Sequence, residues 1–273
     1  MTKGMKVSYN EITVLCQKVY EGLGFDVAVY EDAGELVSWL ALHGLDGLSL
    51  FEASTQQAST QQATTQQATT QQATTQQATT QPMLAHESEC VLVFDLQQTS
   101  SLVAGILPLE LGYAKSKTNK LTMMHLQRCT QPLLLLGALV RFAKRGIHVF
   151  AHWHDEAPNG GSECVVSVIA GESYPTLHEH IKEGNPSAMT IIFSTDFGLL
   201  PTMPAHSEKE RIHSPDWFQQ QANEHMEQGI TVDTERWLRL QALAANVLVE
   251  ATEASRQRGA GEDAASQLVS LSA

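Results

Sequence analysis

A pentapeptide repeat at residues 53–82 constrains what this chain can fold into more than any other feature. ASTQQ occurs twice, ATTQQ three times, and ATTQP closes the run at Pro82. Because the repeat has no charges and no large apolar side chains, little offsets the entropic cost of ordering it. We therefore predict a solvated linker over 53–82, which leaves roughly 240 of the 273 residues for a folded core. The alternative is a Gln-rich tract that self-associates.

The segment before the repeat predicts a helical hairpin within residues 1–52. Ser8 is followed three residues later by Glu11, which is the spacing of a capping box, and apolar residues then recur at intervals of three and four. A second helix is predicted from Asp26 to about Leu42, because His43 and Gly44 then stop the pattern. Two helices bury too little surface to fold alone, so we expect the hairpin to pack on the remainder of the chain.

The segment after the repeat alternates between helical and extended patterns. We predict an α/β (α+β) core over 83–258, with a mixed central sheet, C-terminal helices and a loose tail at 259–273. The predicted strands are 89–96, 147–153, 162–171 and 187–195, and the predicted helices are 131–146, 214–229 and 233–259. We predict extended segments broken at Pro108 over residues 101–114, and a short helical piece at LHEHIKEG (177–184).

Charge and composition limit the partners of the protein. Asp and Glu number 30 against 17 Lys and Arg, so the net charge is −13, which disfavours binding to nucleic acid and to anionic membranes. The longest apolar stretch, 133–140, is too short to span a bilayer, and the N-terminus lacks the apolar run of a signal peptide. The four cysteines form no CxxC pair. We therefore predict a soluble, cytoplasmic protein with reduced thiols.

Several catalytic motifs do not occur in the sequence. It contains no GxGxxG, no P-loop, no GxSxG and no HExxH. A standard Rossmann dehydrogenase, a P-loop NTPase, an α/β-hydrolase and a zincin protease are therefore disfavoured. We accordingly predict a non-Rossmann fold.

Two histidines near the end of a predicted strand are the first candidates for a site. His152 and His154 are two residues apart, so a strand would direct both to the same side of the sheet. Asp155 or Glu156 in the following turn could add an oxygen ligand for a metal. A ligand site at the edge of the sheet and a structural or surface role are the other interpretations. Asp95 ends another predicted strand, where it could cap a loop or take part in catalysis.

Three stretches resemble the malate/L-lactate (sulfolactate) dehydrogenase-like oxidoreductases, which bind NAD(P) without a Rossmann fold. MKVSYNEITVLCQKVYEGLGFDVAVYEDAGELVSWLALHGLDGL (5–48) is similar to their two opening helices and Asp-Ser-His-Gly loop. ALVRFAKRGIHVFAHWHD (138–155) resembles their helix–strand unit, and GITVDTERWLRLQALA (229–244) resembles their C-terminal turn and helix. Leu48 stands about where the family has its loop histidine.

The resemblance implies an oxidoreductase-like protein that uses NAD(P) on a small 2-hydroxy or 2-oxo acid. It also implies a homodimer, because in these enzymes the active site and the cofactor cleft form between two subunits. Under this hypothesis His43 and His154 carry protons, since imidazole titrates near neutrality, and no metal is assigned. Asp46, Asp95 and His152 would orient the substrate or an imidazole.

Two alternatives stay open beside the dehydrogenase hypothesis. One is a non-catalytic ligand-binding or scaffold protein of the same fold. The other is a metal-dependent enzyme that uses His152 and His154 with Asp155. A common active centre requires that residues 43–48 and 152–156 face a shared crevice.

Overall fold

A computed structural model describes residues 4–68, 81–155, 162–181, 188–202 and 210–245. The helices are α1 (Tyr9–Gly22), α2 (Val27–Leu42), α3 (Gly47–Ala68), α4 (Ser101–Ala104), α5 (Ile106–Thr118), α6 (Leu136–Lys144), α7 (Pro215–Gln228) and α8 (Thr234–Ala244). The strands are β1 (Gly4–Val7), β2 (Met83–Glu87), β3 (Val91–Asp95), β4 (Leu121–Gln127), β5 (His148–Asp155), β6 (Ser162–Val168), β7 (Thr176–Ile181), β8 (Ala188–Ser194), β9 (Glu210–His213) and β10 (Ile230–Asp233).

Within the described residues, the central sheet is mixed and has eight strands in the order β2-β3-β4-β8-β5-β6-β7-β9. Strands β3 and β4 run parallel, whereas the other neighbouring pairs are antiparallel. A Rossmann fold is built on a mostly parallel sheet instead. The prediction of a mixed, non-Rossmann α/β fold is therefore confirmed.

The N-terminal hairpin begins at the predicted cap. The backbone N–H of Glu11 donates to Ser8 Oγ at 3.2 Å, and the backbone N–H of Ser8 donates to Glu11 Oε2 at 2.7 Å. This reciprocal pair satisfies two N–H groups that the first helical turn leaves unpaired. Helix α1 packs against α2 and α8, and β1 pairs with β10. The two ends of the described chain therefore meet beside the sheet.

The two faces of the sheet differ in chemistry because side chains alternate along each strand. Val149, Ala151 and Trp153 of β5 share one face with Phe193 of β8, and Phe142 of α6 packs edge-on against Phe193, with ring centroids 5.6 Å apart. We call this side the helix-covered face. We call the opposite side the histidine face, and it carries His125, His148, His152, His154, His178 and His180.

Helix α3 extends into the repeat, which the linker prediction did not anticipate. Ser54, Thr55 and Ala58 are buried, and the Tyr20 hydroxyl lies 2.5 Å from Ser54 Oγ. Small residues allow this helix to approach its neighbours closely, while Gln side chains occupy exposed positions such as Gln56. Among the residues that the structure describes, no helix combines the length and the apolar character needed to cross a bilayer. The division of the chain at 52 and 82 stays a prediction.

Two predictions of secondary structure were wrong. Residues 101–104 and 106–114 are helical, because Pro108 lies in the first turn of α5, where its missing N–H removes no helical hydrogen bond. Residues 176–181 form β7 instead of a helical piece, since hydrogen bonding to β6 and β9 on both sides outweighs the local propensity. His178 and His180 consequently point to the same side of the sheet.

Candidate functional site

The loop at 43–48 borders a cavity of about 330 Å³. We call it the loop cavity, and its wall consists of Ala41, residues 44–48, Gln221, His225, residues 230–233 and Arg236. Gly44 turns the chain with φ at +78°, and an added Cβ would lie 2.8 Å from Gln221 Oε1. The loop therefore approaches α7 so closely that this position favours glycine. The volume suits a small molecule.

The guanidinium of Arg236, which lines the cavity, pairs with two carboxylates. Arg236 Nη1 donates to Asp46 Oδ1 at 3.2 Å, and Arg236 Nε donates to Glu52 Oε2 at 3.3 Å. Asp46 has 66% of its side chain exposed, whereas Glu52 has 15% exposed. A hydrogen bond from Arg239 holds the pKa of Glu52 below its usual range. Glu52 is therefore the firmer partner of Arg236, because an ion pair with an exposed carboxylate contributes little.

His225 supplies an imidazole to the same cavity. Its Nδ1 donates to the Leu42 carbonyl oxygen at 2.8 Å, since a carbonyl can only accept. In the neutral ring this fixes the tautomer and leaves Nε2 as a proton acceptor. The sequence analysis did not select His225. The sequence feature that could have indicated His225 is its i, i+4 spacing from Gln221 in a predicted helix, which places both side chains on one face. That spacing alone does not specify which loop this face contacts.

His43 lies in an aromatic cluster, outside the wall of the loop cavity. Its ring stacks on Trp39 with centroids 4.0 Å apart, and Tyr174 and Phe218 lie within 6.2 Å. Nδ1 donates to the Trp39 carbonyl oxygen at 2.6 Å. Only 5% of the residue is exposed, and this burial lowers the pKa of the imidazole. These contacts end α2 and set the start of the loop.

His152 and His154 lie together on the histidine face, near the end of β5. His152 Nε2 is 2.8 Å from Glu163 Oε1 on β6, and the two imidazole ring centroids are 5.1 Å apart. One ligand atom from each of the three side chains lies within 4.8 Å of the other two. Sequence reasoning missed Glu163, because its position depends on the pairing of β5 with β6. Glu156 and the Asp155 side chain lie outside the described part of the chain.

The two predicted halves of the site do not meet within the described part of one chain. His43 packs against Phe218, and Phe218 also contacts His213, which belongs to the helix-covered face. His152 and His154 lie on the histidine face, which is the other side of the sheet. The described part of one chain therefore provides two separate candidate sites, and its residues form no crevice shared by 43–48 and 152–155.

Asp95 ends β3 as predicted, and its carboxylate makes local contacts. Arg128 Nε donates to Asp95 Oδ1 at 2.7 Å, Arg128 Nη2 donates to Oδ2, and the backbone N–H of Gln97 donates to Oδ1 at 2.9 Å. The hydrogen bonds from Arg128 hold the pKa of Asp95 below its usual range. This geometry matches the loop-capping interpretation of Asp95.

The fold belongs to a class that dehydrogenases also use. A dehydrogenase from Sinorhizobium meliloti superposes with a TM-score of 0.67 at 10% identity, over 89% of this chain and 100% of that chain. Malate dehydrogenase from Pyrococcus horikoshii OT3 gives 0.64 at 10% identity, over 92% and 98%. Sulfolactate dehydrogenase from Methanocaldococcus jannaschii gives 0.60 at 10% identity, over 89% and 97%. At such identities the likeness concerns the fold alone.

Sequence comparison adds one match. Residues 7–81 match a family model described as "Protein of unknown function (DUF3726)", which covers less than half of the chain. No curated protein matches the sequence. The resemblance inferred from the sequence is therefore confirmed at the level of the fold, and the family model that matches the sequence describes proteins of unknown function.

Proposed function

We propose that this protein is an oxidoreductase-like enzyme that acts on a small 2-hydroxy or 2-oxo acid in the loop cavity, with NAD(P) as its cofactor. The observation that carries the proposal is the presence of His225 and Arg236 in one cavity of a dehydrogenase-like fold. An imidazole and a guanidinium are the two groups that such an acid requires. One exchanges the proton of the hydroxyl group, and the other binds the carboxylate.

The residues of the loop cavity have distinct roles in this proposal. Nε2 of His225 accepts the hydroxyl proton of the substrate, because Nδ1 is held by the Leu42 carbonyl. Arg236 binds the substrate carboxylate in place of Asp46, whose exposed ion pair costs little to break. Glu52 keeps the guanidinium oriented. His225 thus takes the proton-carrying role that the sequence suggested for His43 and His154.

The loop cavity of one subunit does not fit the whole cofactor. About 330 Å³ is near the lower limit of ligand pockets, and a dinucleotide is much larger than a hydroxy acid. Asp46 and Asp233 also make the wall acidic, which is unfavourable for a pyrophosphate. We therefore propose that NAD(P) binds where a second copy of the chain completes the cleft, in a homodimer such as the resemblance implies.

A non-catalytic ligand-binding protein of the same fold is the second candidate. Leu48 occupies about the position where the resembling enzymes have their loop histidine, and it is buried. Arg236 already pairs with two carboxylates, those of Asp46 and Glu52. These features favour a protein that retains the cavity and binds a small molecule without converting it.

Titration and turnover measurements separate the two candidates. NADH and NADPH fluorescence titrations are performed with the full chain, followed by oxidation of NAD(P)H with a panel of 2-oxo acids. We expect saturable cofactor binding, turnover, and a loss of about 100-fold in kcat for His225→Asn, since general acid–base catalysis contributes on that order. His86→Ala is the matched control, because His86 is an exposed histidine on β2.

Each outcome decides between the candidates. Absence of cofactor binding at millimolar concentration would exclude the dehydrogenase proposal. Unchanged turnover in His225→Asn would remove His225 from the reaction. Saturable binding of a 2-oxo acid without turnover in the presence of NADH or NADPH would establish the non-catalytic alternative.

A further inference from the structure

A second site is formed by the β5–β6 hairpin on the histidine face. Pairing of β5 with β6 places Glu163 directly opposite His154, and His152 is one step along the same face. Side chains at such directly opposed and alternate positions are within reach of one another. The convergence of His152, His154 and Glu163 therefore follows from the strand register and requires no special loop.

The distances among the three ligand atoms are compatible with one metal ion. Two ligands at about 2.1 Å from a tetrahedral ion lie about 3.4 Å apart. His152 Nε2 and Glu163 Oε1 are 2.8 Å apart, and all three ligand atoms fit within 4.8 Å. Small rotations of side chains bring them to ligand distances. The exposed fractions of the His152 and Glu163 side chains, 35% and 22%, provide access for an ion from solvent.

The chemistry of the three groups indicates the class of ion. Imidazole nitrogens favour zinc, copper, nickel and iron, whereas magnesium and calcium favour sites made of oxygen ligands. A set of two histidines and one carboxylate occurs in zinc and non-haem iron sites, where three protein ligands leave at least one position for water or a small oxygen ligand.

We propose that His152, His154 and Glu163 bind a divalent first-row transition metal ion. The ion replaces the hydrogen bond between His152 and Glu163 by bonds from both side chains to the metal. The site is separate from the loop cavity, because the two lie on opposite sides of the sheet. A failure of the metal-site proposal can therefore be distinguished from a failure of the dehydrogenase proposal.

Metal titration of the tag-free full chain tests the proposal. The protein is stripped with chelator and titrated with Co²⁺, whose visible absorption reports coordination geometry, and with Zn²⁺ by calorimetry. We expect one equivalent to bind. Loss of an outer-shell partner typically weakens metal affinity by 10–100-fold, so we expect loss of a direct ligand to weaken it by about 100-fold or more. His154→Ala and Glu163→Gln remove direct ligands, and Gln preserves the shape of Glu163.

A matched variant controls for histidine content. His125→Ala removes another histidine from the same face, two strands away in the sheet order, and is expected to bind Co²⁺ like the wild type. Far-UV circular dichroism verifies that each variant is folded. Affinity should also fall with falling pH, because protons compete with the metal for neutral imidazole.

Three results would overturn the proposal. The first is absence of saturable Co²⁺ absorption at one equivalent in the wild type. The second is an equal loss of binding in His125→Ala and His154→Ala, which indicates adventitious surface histidines. The third is unchanged affinity in Glu163→Gln and His154→Ala when both are folded, which shows that neither side chain is a metal ligand.

Discussion

A chain of buried hydroxyl groups connects the start of the repeat to the hydrophobic core. The Tyr20 hydroxyl lies 2.5 Å from Ser54 Oγ, which donates to Ser100 Oγ at 2.7 Å, and Ser100 donates to Gln131 Oε1 at 3.0 Å. Tyr20 and Ser54 are fully buried. Substitution Ser54→Ala removes the central member of this chain, so it tests whether the first repeat units belong to the folded core.

The expected magnitude follows from the burial of the partners. Removing Ser54 Oγ leaves buried hydroxyl groups on Tyr20 and Ser100 with one hydrogen bond fewer, which costs about 1–3 kcal/mol. The higher helix propensity of alanine offsets a few tenths of a kcal/mol of this loss in stability. We therefore expect a net loss of about 2 kcal/mol in the free energy of unfolding. For a chain of this size, that loss lowers Tm by roughly 4–8 °C.

Thermal unfolding followed by circular dichroism, together with urea titration, measures the effect. Ser59→Ala is the matched control, because Ser59 is exposed, lies in the same helix and occupies the same place in the next repeat unit. It should change stability by less than about 0.5 kcal/mol. A double-mutant cycle with Tyr20→Phe should give a coupling energy of about 1 kcal/mol. Equal Tm values for Ser54→Ala and Ser59→Ala would refute the reasoning and favour a solvated linker from residue 53.

Two further predictions concern a carboxylate and a pair of glycines. Because Arg128 lowers the pKa of Asp95, this carboxylate stabilises the fold above its unfolded-state pKa, and the contribution is lost as pH falls through the folded-state pKa. The urea midpoints of the wild type and Asp95→Asn should therefore differ at pH 7 and approach each other as the pH is lowered, and a difference that does not change with pH would contradict this. Gly44 and Gly171 both have a positive φ, so alanine is strained at either position. At Gly44 the new Cβ would also meet the side chain of Gln221, whereas at Gly171 it would meet no atom within 4 Å. The melting temperature should therefore fall further for Gly44→Ala than for Gly171→Ala, and the reverse order would contradict the close contact at Gly44.

Local signals in the sequence predicted where α1, α7 and α8 begin. The Ser8 capping box begins α1, the Ser214 hydroxyl accepts from the Trp217 N–H at the start of α7, and Asp233 accepts from two backbone N–H groups at the start of α8. Each interaction spans two or three residues, so the sequence pattern contains both partners. The prediction failed where a proline was treated as a break, at Pro108, although the first helical turn accommodates it.

Contacts between distant segments were beyond the reach of the sequence patterns. Glu163 joins His152 and His154 only through the register of β5 with β6, and a shift by one residue would move it to the other face. His225 meets the Leu42 carbonyl across 183 positions of the chain. The sequence indicated candidate site residues in the loop at 43–48, but it did not indicate that the imidazole at the loop cavity comes from α7.

The sequence by itself determined where α1, α7 and α8 begin, the mixed α/β class and the common side of His152 and His154 on β5, because caps and alternation act over a few residues. The tertiary structure decided that His43 lies in an aromatic cluster, that residues 176–181 form a strand, and that the sheet separates the two candidate sites. The physical reason is that strand pairing and helix docking depend on the burial of surfaces far apart in the chain, whose partners no local pattern specifies.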